Sequence, residues 1–225
     1  MKQEKSSVPG QEPSQCTIFN DPEKLRELHD LDWTSKEKEI SFENIVALGI
    51  PYYMQWAYER LSTENKGAEK IITLDVGCGN GQFEHHFDDI EMDCFDTSKV
   101  GLSMCVEHCQ NRKVPIGKFH DKIEDLPFNR YSNIIILEVL EHMPHDKQFD
   151  FLMELKRHAR KGAKMLITVP IKGEIPDPLH IGERKFYGWY EMFEMLTSNF
   201  RYYNINKKEM HGFSLNIHAF ELFLD

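Results

Sequence analysis

The chain has 225 residues, with 27 Lys+Arg against 37 Asp+Glu and a formal net charge of −10 at pH 7. That balance argues against a nucleic-acid surface as the dominant feature, and no apolar run approaches the roughly 18–20 residues that a membrane span needs. The length suits one large domain, or one domain with an appendage, and a chain of this size buries about 70% of its unfolded surface.

Residues 1–19 read as a flexible tail, since Met1–Ser14 is polar and lacks the apolar stretch of a signal peptide. Asn20–Asp30 predicts a short helix, capped by Asn20 or Asp21 with Pro22 in its first turn. Asp32–Glu39 reads as a charged connector, and Ser41-Phe42-Glu43-Asn44 opens a second helical stretch. Pro51–Leu61 carries Tyr52, Tyr53, Trp56 and Tyr58 at helical spacing, either a core stripe or the lining of a pocket or lid. Ser62–Lys70 is a polar linker, so residues 20–66 form an N-terminal helical cap and residues 67–225 the main domain.

The apolar run Ile71–Leu74 leads into Leu74-Asp75-Val76-Gly77-Cys78-Gly79-Asn80-Gly81, followed by the helix-compatible Gln82–Phe87. This pattern is a buried strand, a glycine turn and a helix N-terminus, whose unsatisfied N–H groups suit an anionic group. A dinucleotide fingerprint needs its third small residue where Gln82 stands. Ile90–Phe95 is a second strand ending at Asp96, 19 residues beyond Gly77; an acid there suits ribose hydroxyls, or caps a helix over Ser98–Asn111. Val114–Phe119 reads as the third strand and Tyr131–Leu137 as the fourth, its continuous Ile134–Leu137 run being that of a parallel strand covered on both faces. Glu138-Val139-Leu140-Glu141-His142-Met143-Pro144-His145 then falls at the strand's carboxyl end, where such sheets bind ligands. Asp146–Lys161 predicts an amphipathic helix with Phe149, Leu152, Met153 and Leu155 inward, ended by Gly162. A fifth strand over Met165–Val169 follows, then a loop over Ile171–Gly182 carrying His180, a helix over Trp189–Ser198, and two last strands over Phe200–Ile205 and Ser214–Leu224.

From Ile71 to Asp225 these pieces resemble, in order, the class I S-adenosylmethionine-dependent methyltransferases: an acid two residues before alternating glycines, an acid ending the second strand, a Leu-Pro-Phe segment at Leu126–Phe128, and a Glu-His segment after the fourth strand. The resemblance implies an α/β Rossmann-like fold with a seven-stranded, mostly parallel sheet whose last strand is antiparallel. It also implies S-adenosyl-L-methionine as cofactor. Asp75 would face the cationic methionine end, Gly77, Cys78, Gly79 and Gly81 would lie under the nucleoside, and Asp96 and Thr97 would meet the ribose. Ile123 would contribute at the adenine and Glu138 at the mouth. The family's adenine-binding acid is replaced by Lys122, which cannot accept a hydrogen bond; Asp121 is the nearest substitute.

Transfer to a hydroxyl needs a base, and His142 and His180 qualify by position, although His142 also reads as a structural residue holding its loop. His145 reads as an exposed first-turn residue. The leading expectation is methylation of a hydroxyl or amine on a small polar acceptor such as a sugar, nucleotide-linked sugar or natural product, in the cytoplasm. No resident metal, nucleic acid or membrane partner is expected, and a homo-oligomer is compatible. Two alternatives stand beside it. Glu138, Glu141, His142 and His180 resemble the metal set of small-RNA 3′-terminal 2′-O-methyltransferases, and a protein of this fold can hold the cofactor without transferring. The cysteines are Cys16, Cys78, Cys94, Cys105 and Cys109. Cys105 and Cys109 share a helix face but are too few for a zinc site alone, so reduced thiols are the simplest reading.

Overall fold

The computed structural model describes residues 22–39, 49–61, 70–170, 200–209 and 216–224, together with Gly182, Gly188, Trp189, Glu191 and Glu194. Seven strands form one sheet: β1 (Thr73–Val76), β2 (Met92–Phe95), β3 (Ile116–His120), β4 (Tyr131–Leu137), β5 (Ala159–Pro170), β6 (Phe200–Glu209) and β7 (Asn216–Leu224). Their order is β3-β2-β1-β4-β5-β7-β6. The first five run parallel, and β7 lies antiparallel between β5 and β6. Order reverses between β1 and β4, and that switch point opens a crevice at the strands' carboxyl ends. The expected mostly parallel sheet with an antiparallel last strand is therefore what forms.

Five helices accompany it among the described residues: α1 (Pro22–Glu39), α2 (Tyr52–Tyr58), α3 (Gln82–His86), α4 (Lys99–Arg112) and α5 (His145–His158). Both sheet faces are covered, and the period of two along β4 shows it. Ile134 and Ile136 join Leu152 and Leu155 of α5 on one side, while Ile135 joins Met54, Trp56 and Ala57 of α2 and Phe83 of α3 on the other. The aromatic stripe of α2 thus divides. Trp56 is core, Tyr52 is exposed, and Tyr53 is half-buried beside the second cluster. Arg60 stacks over Trp56 at 4.9 Å, and Lys164 on β5 donates to the Arg60 carbonyl at 2.8 Å, anchoring α2 to the sheet.

Two helices end elsewhere than the sequence reading placed them. α1 continues through the segment read as a connector, because the Lys and Glu residues of 36–39 are good helix formers and need no apolar face to stay helical. Its expected caps at Asn20 and Asp21 lie outside the described residues. α5 stops at His158, and Gly162 is not its terminator. The chain turns into β5 at Ala159, and Gly162, at φ +78°, sits in an irregular stretch where Ala159 pairs Tyr131 and Lys164 pairs Asn133. The segments 40–48, 62–69, 171–181 and most of the expected Trp189–Ser198 helix lie outside the described residues.

A buried carboxylate fixes the far half of the sheet. Asp93 on β2 accepts from the Lys118 amide at 2.9 Å, Arg130 Nε at 3.0 Å and the Tyr131 hydroxyl at 3.1 Å, joining β2, β3 and the start of β4. Asp93→Ala strands three donors at once, and urea denaturation should show a loss of about 2–3 kcal/mol, the scale of hydrogen bonds to a charged group.

Candidate functional site

A cavity of about 310 Å³ opens at the switch point, at the small end of what a ligand pocket needs. Its floor is the carboxyl ends of β1 and β2 (Val76, Gly77, Phe95, Asp96, Thr97), one wall is the segment after β4 (Glu138, Val139, His142, Met143), and its cover is α1 (Arg26, His29, Asp32, Trp33).

The glycine loop is shaped by its backbone bonds. Gly77 N–H and Cys78 N–H donate to the Phe95 carbonyl at 2.7 and 3.3 Å, Gly79 N–H to Asp96 Oδ2 at 2.8 Å, and Gly81 N–H to the Cys78 carbonyl at 3.0 Å. The protein itself therefore uses these four amides. The carboxylates of Asp32, Asp96 and Glu138 meet one guanidinium, Arg26, around the cavity, so its lining favours a cation over a phosphate. Gly77, at φ +75°, is obligatory here: a Cβ would come within 2.5 Å of Val139 Cγ2. At Gly79 a Cβ would run into the Trp33 indole.

Asp96 is the hub of this corner. Its Oδ1 accepts from Ser98 N–H at 2.7 Å while Oδ2 holds Gly79. It is not the helix cap; Ser98 is, accepting from Gly101 N–H at 3.0 Å. Burial pushes the Asp96 carboxyl up, and the two amide bonds pull it back. Ser98 Oγ in turn donates to Asp30 of α1 at 2.5 Å, and Val100 N–H reaches the same oxygen at 3.3 Å, which fastens the cover to the floor.

The other expected residues are placed as follows. Asp75 is buried and does not line the cavity; it lies against Glu84 of α3, and burial, then the Glu84 charge, raise its pKa well above the carboxylate range. Cys78 is turned into a cluster of thiols behind the loop. Ile123 begins a short 3₁₀ turn, Ile123–Asp125, packed against the core and away from the cavity, and Asp121 lies 3.9 Å from Lys99. Glu138 sits in the left-handed region, φ +56°, on the cavity wall, a conformation that costs a non-glycine residue about 1–3 kcal/mol and is typical of functional turns. His142 lines the cavity, its ring edge-on to His29 at 5.3 Å. His180 lies outside the described residues, but Gly182 is tied to this turn: its N–H donates to the Glu141 carbonyl at 2.7 Å, and Gln148 bridges the Leu140 and Gly182 carbonyls at 2.7 and 2.9 Å.

Sequence reasoning placed α1 in the N-terminal helical cap but named none of its residues as lining the cavity. Arg26, His29, Asp30 and Trp33 fall at helical spacing on one face, and this periodicity was the available signal. Tyr53, which the sequence left between core and pocket, packs beside the second core cluster and is not among the residues lining the cavity. Burial raises its pKa well above the tyrosine range, with the charges of Glu138, Glu141 and Asp75 adding to the effect, so at neutral pH it is a donor.

A seven-stranded sheet of this order, with an acid-lined cavity at its switch point, is the architecture of a class I S-adenosylmethionine-dependent methyltransferase. Residues 73–162 match the family model described as a methyltransferase domain. The ubiquinone biosynthesis O-methyltransferase of Rickettsia canadensis is 24% identical over 200 residues, 80% of this chain and 80% of that protein. Among solved structures, the Burkholderia thailandensis 1,6-didemethyltoxoflavin-N1-methyltransferase, with 1,6-didemethyltoxoflavin and S-adenosylhomocysteine bound, superposes with a TM-score of 0.67 at 13% identity, covering 91% of this chain and 90% of that one. The cyclase SpnF superposes at 0.65 with 12% identity over 90% of this chain and 96% of that one. At such identities the likeness is one of fold, and fold alone does not fix the reaction. No described helix is long and apolar enough to cross a membrane.

The Asp75–Glu84 pair makes a pH prediction. Both folded-state pKa values are raised above their unfolded values near 4, so the pair's contribution is fully present below about pH 4 and is lost as pH rises through the folded values. Asp75→Asn should therefore be more stable than wild type at pH 7, with the gap narrowing at pH 5. Urea midpoints at the two pH values check it, and a gap independent of pH contradicts it.

Proposed function

We propose that this protein methylates a hydroxyl group of a small organic acceptor bound at the mouth of the cavity, using S-adenosylmethionine. The observation that carries the reading is the gathering of Glu138, Glu141, His142 and Tyr53 where β4 ends, beside a cavity whose acidic lining suits a sulfonium. S-adenosylmethionine, when bound, supplies a methyl group on a positively charged sulfur. The chain's residues align the partners and manage one proton. Gly77 and Gly79 give a floor without side chains, and Asp96, with each oxygen already holding one amide, keeps lone pairs for ribose hydroxyls. Thr97 and Glu138 flank the same space, and Asp75 supports the loop from beneath.

At the acceptor, His142 takes the hydroxyl proton as the oxygen attacks, and Tyr53 donates a hydrogen bond that orients it. His180 is the alternative base. An O-methyl product is supported by the names of the curated relatives, each a ubiquinone biosynthesis O-methyltransferase. Within that reading a phenolic or sugar hydroxyl fits equally. The metal-dependent RNA alternative gains nothing from the geometry: among the described residues, Glu138, Glu141 and His142 do not bring three ligand atoms within 4.8 Å of one another.

The test is transfer of a labelled methyl from S-adenosylmethionine to a panel of phenols, sugars and amines, with and without EDTA. Label should appear on oxygen and be insensitive to EDTA. His142→Ala should lower kcat by about 10²-fold or more, the usual scale for a lost general base, with S-adenosylhomocysteine affinity little changed. Label on amines alone, or no transfer by a protein that binds S-adenosylhomocysteine, contradicts the proposal. Loss in His180→Ala but not His142→Ala reassigns the base.

A further inference from the structure

Behind the glycine loop lies a second cluster that methyl transfer does not use. Cys78 of the loop, Cys94 of β2 and Cys105 of α4 are all buried, and their sulfur atoms lie within 4.8 Å of one another. Cys109, one helical turn beyond Cys105, adds a fourth sulfur at 3.9 Å from the Cys105 sulfur. Glu84 of α3, also buried, accepts from Cys94 Sγ through Oε1 at 3.2 Å. The sequence separates these residues widely, and the fold brings them to one point.

We propose that this cluster is a binding site for one zinc ion, with Cys78, Cys94 and Cys105 as thiolate ligands and Cys109 or Glu84 completing the tetrahedron. In a tetrahedral thiolate site the zinc–sulfur distance of about 2.3 Å places the sulfurs about 3.8 Å apart. The Cys105–Cys109 separation is close to that value, and a contraction of at most about 1 Å brings the sulfurs of Cys78, Cys94 and Cys105 to it. The donors gathered here are thiol sulfurs and the Glu84 carboxylate, which suit a borderline-soft d¹⁰ ion over magnesium or calcium. The form of each cysteine that binds a metal is the thiolate. Binding therefore releases each ligand's proton to solvent as its sulfur bonds the ion, whose double charge offsets thiolates that the pocket would otherwise refuse.

The site has a reason to matter. Cys78 stands between Gly77 and Gly79, and Cys105 Sγ lies 3.0 Å from where a Cβ on Gly81 would sit. An ion here would join the cofactor loop, β2 and α4 through bonds rather than packing alone, and so brace the floor of the cavity from below.

Cobalt substitution tests it with a readout independent of methyl transfer. The full chain, reduced and stripped of metal, is titrated with Co²⁺. One equivalent should produce the sulfur-to-cobalt charge-transfer absorption and the visible bands of tetrahedral cobalt, and one equivalent of Zn²⁺ should abolish them and raise the melting temperature. Cys105→Ala and Cys94→Ala should each lose the thiolate signature while retaining a cooperative thermal transition. Cys16→Ala should keep it. Absence of the charge-transfer band in folded wild-type protein overturns the proposal. So does a band that survives both Cys105→Ala and Cys94→Ala, or one lost in Cys16→Ala.

Discussion

The corner at Asp96 is the constraint on which the rest of the site depends. One carboxylate holds the Gly79 amide with one oxygen and the Ser98 amide with the other. It thereby joins the end of β2, the glycine loop and the N-terminus of α4 into a single unit. Ser98 passes the linkage on to Asp30, so the helix that covers the cavity is fastened to the same point. Such bonds from backbone amides to a buried carboxylate are strong because the acceptor can carry charge. A glycine loop without this acid would have to find other acceptors for its amides, and the floor would lose its shape.

From that corner the electrostatics follow. The loop's amides are turned inward, so the cavity presents carboxylates where a phosphate-binding turn would present N–H groups. The negative charge collected by Asp32, Asp96 and Glu138 is open to a cationic ligand. Burial above all, with the charges of Glu138, Glu141 and Asp75 adding to it, keeps Tyr53 protonated and makes it a donor. Turning the Glu138 backbone into the left-handed region and packing Val139 against Gly77 place this wall close to the floor. Cavity floor and facing wall thus follow two strand ends, β1 and β4, that pair residue for residue from Thr73 with Asn133 to Val76 with Ile136.

Much of this was legible in the sequence because strands buried on both faces have few ways to be written. The Ile134–Leu137 run, the glycine turn after Val76 and the acid at 96 each carry a signal within a few residues. What escaped depends on distant partners. α1 has a weakly apolar face, and its role follows from Asp30 finding Ser98 and Trp33 finding Gly79, contacts between residues more than forty positions apart. The end of α5 was misplaced because Gly162 looks like a C-cap, yet the chain had already left the helix to pair Ala159 with Tyr131. The inward use of the loop's amides was hidden for the same reason: the donors are local, and the acceptors, Phe95 and Asp96, are on the next strand.

The most direct test of the central claim, that the Asp96 corner shapes a nucleoside site, is calorimetric titration with S-adenosylhomocysteine of wild-type protein and of Asp96→Ala. Wild type should bind at one site per chain, and Asp96→Ala should weaken binding at least tenfold while keeping a cooperative thermal transition. Equal affinity in the two proteins, or no binding to folded wild type, would contradict it.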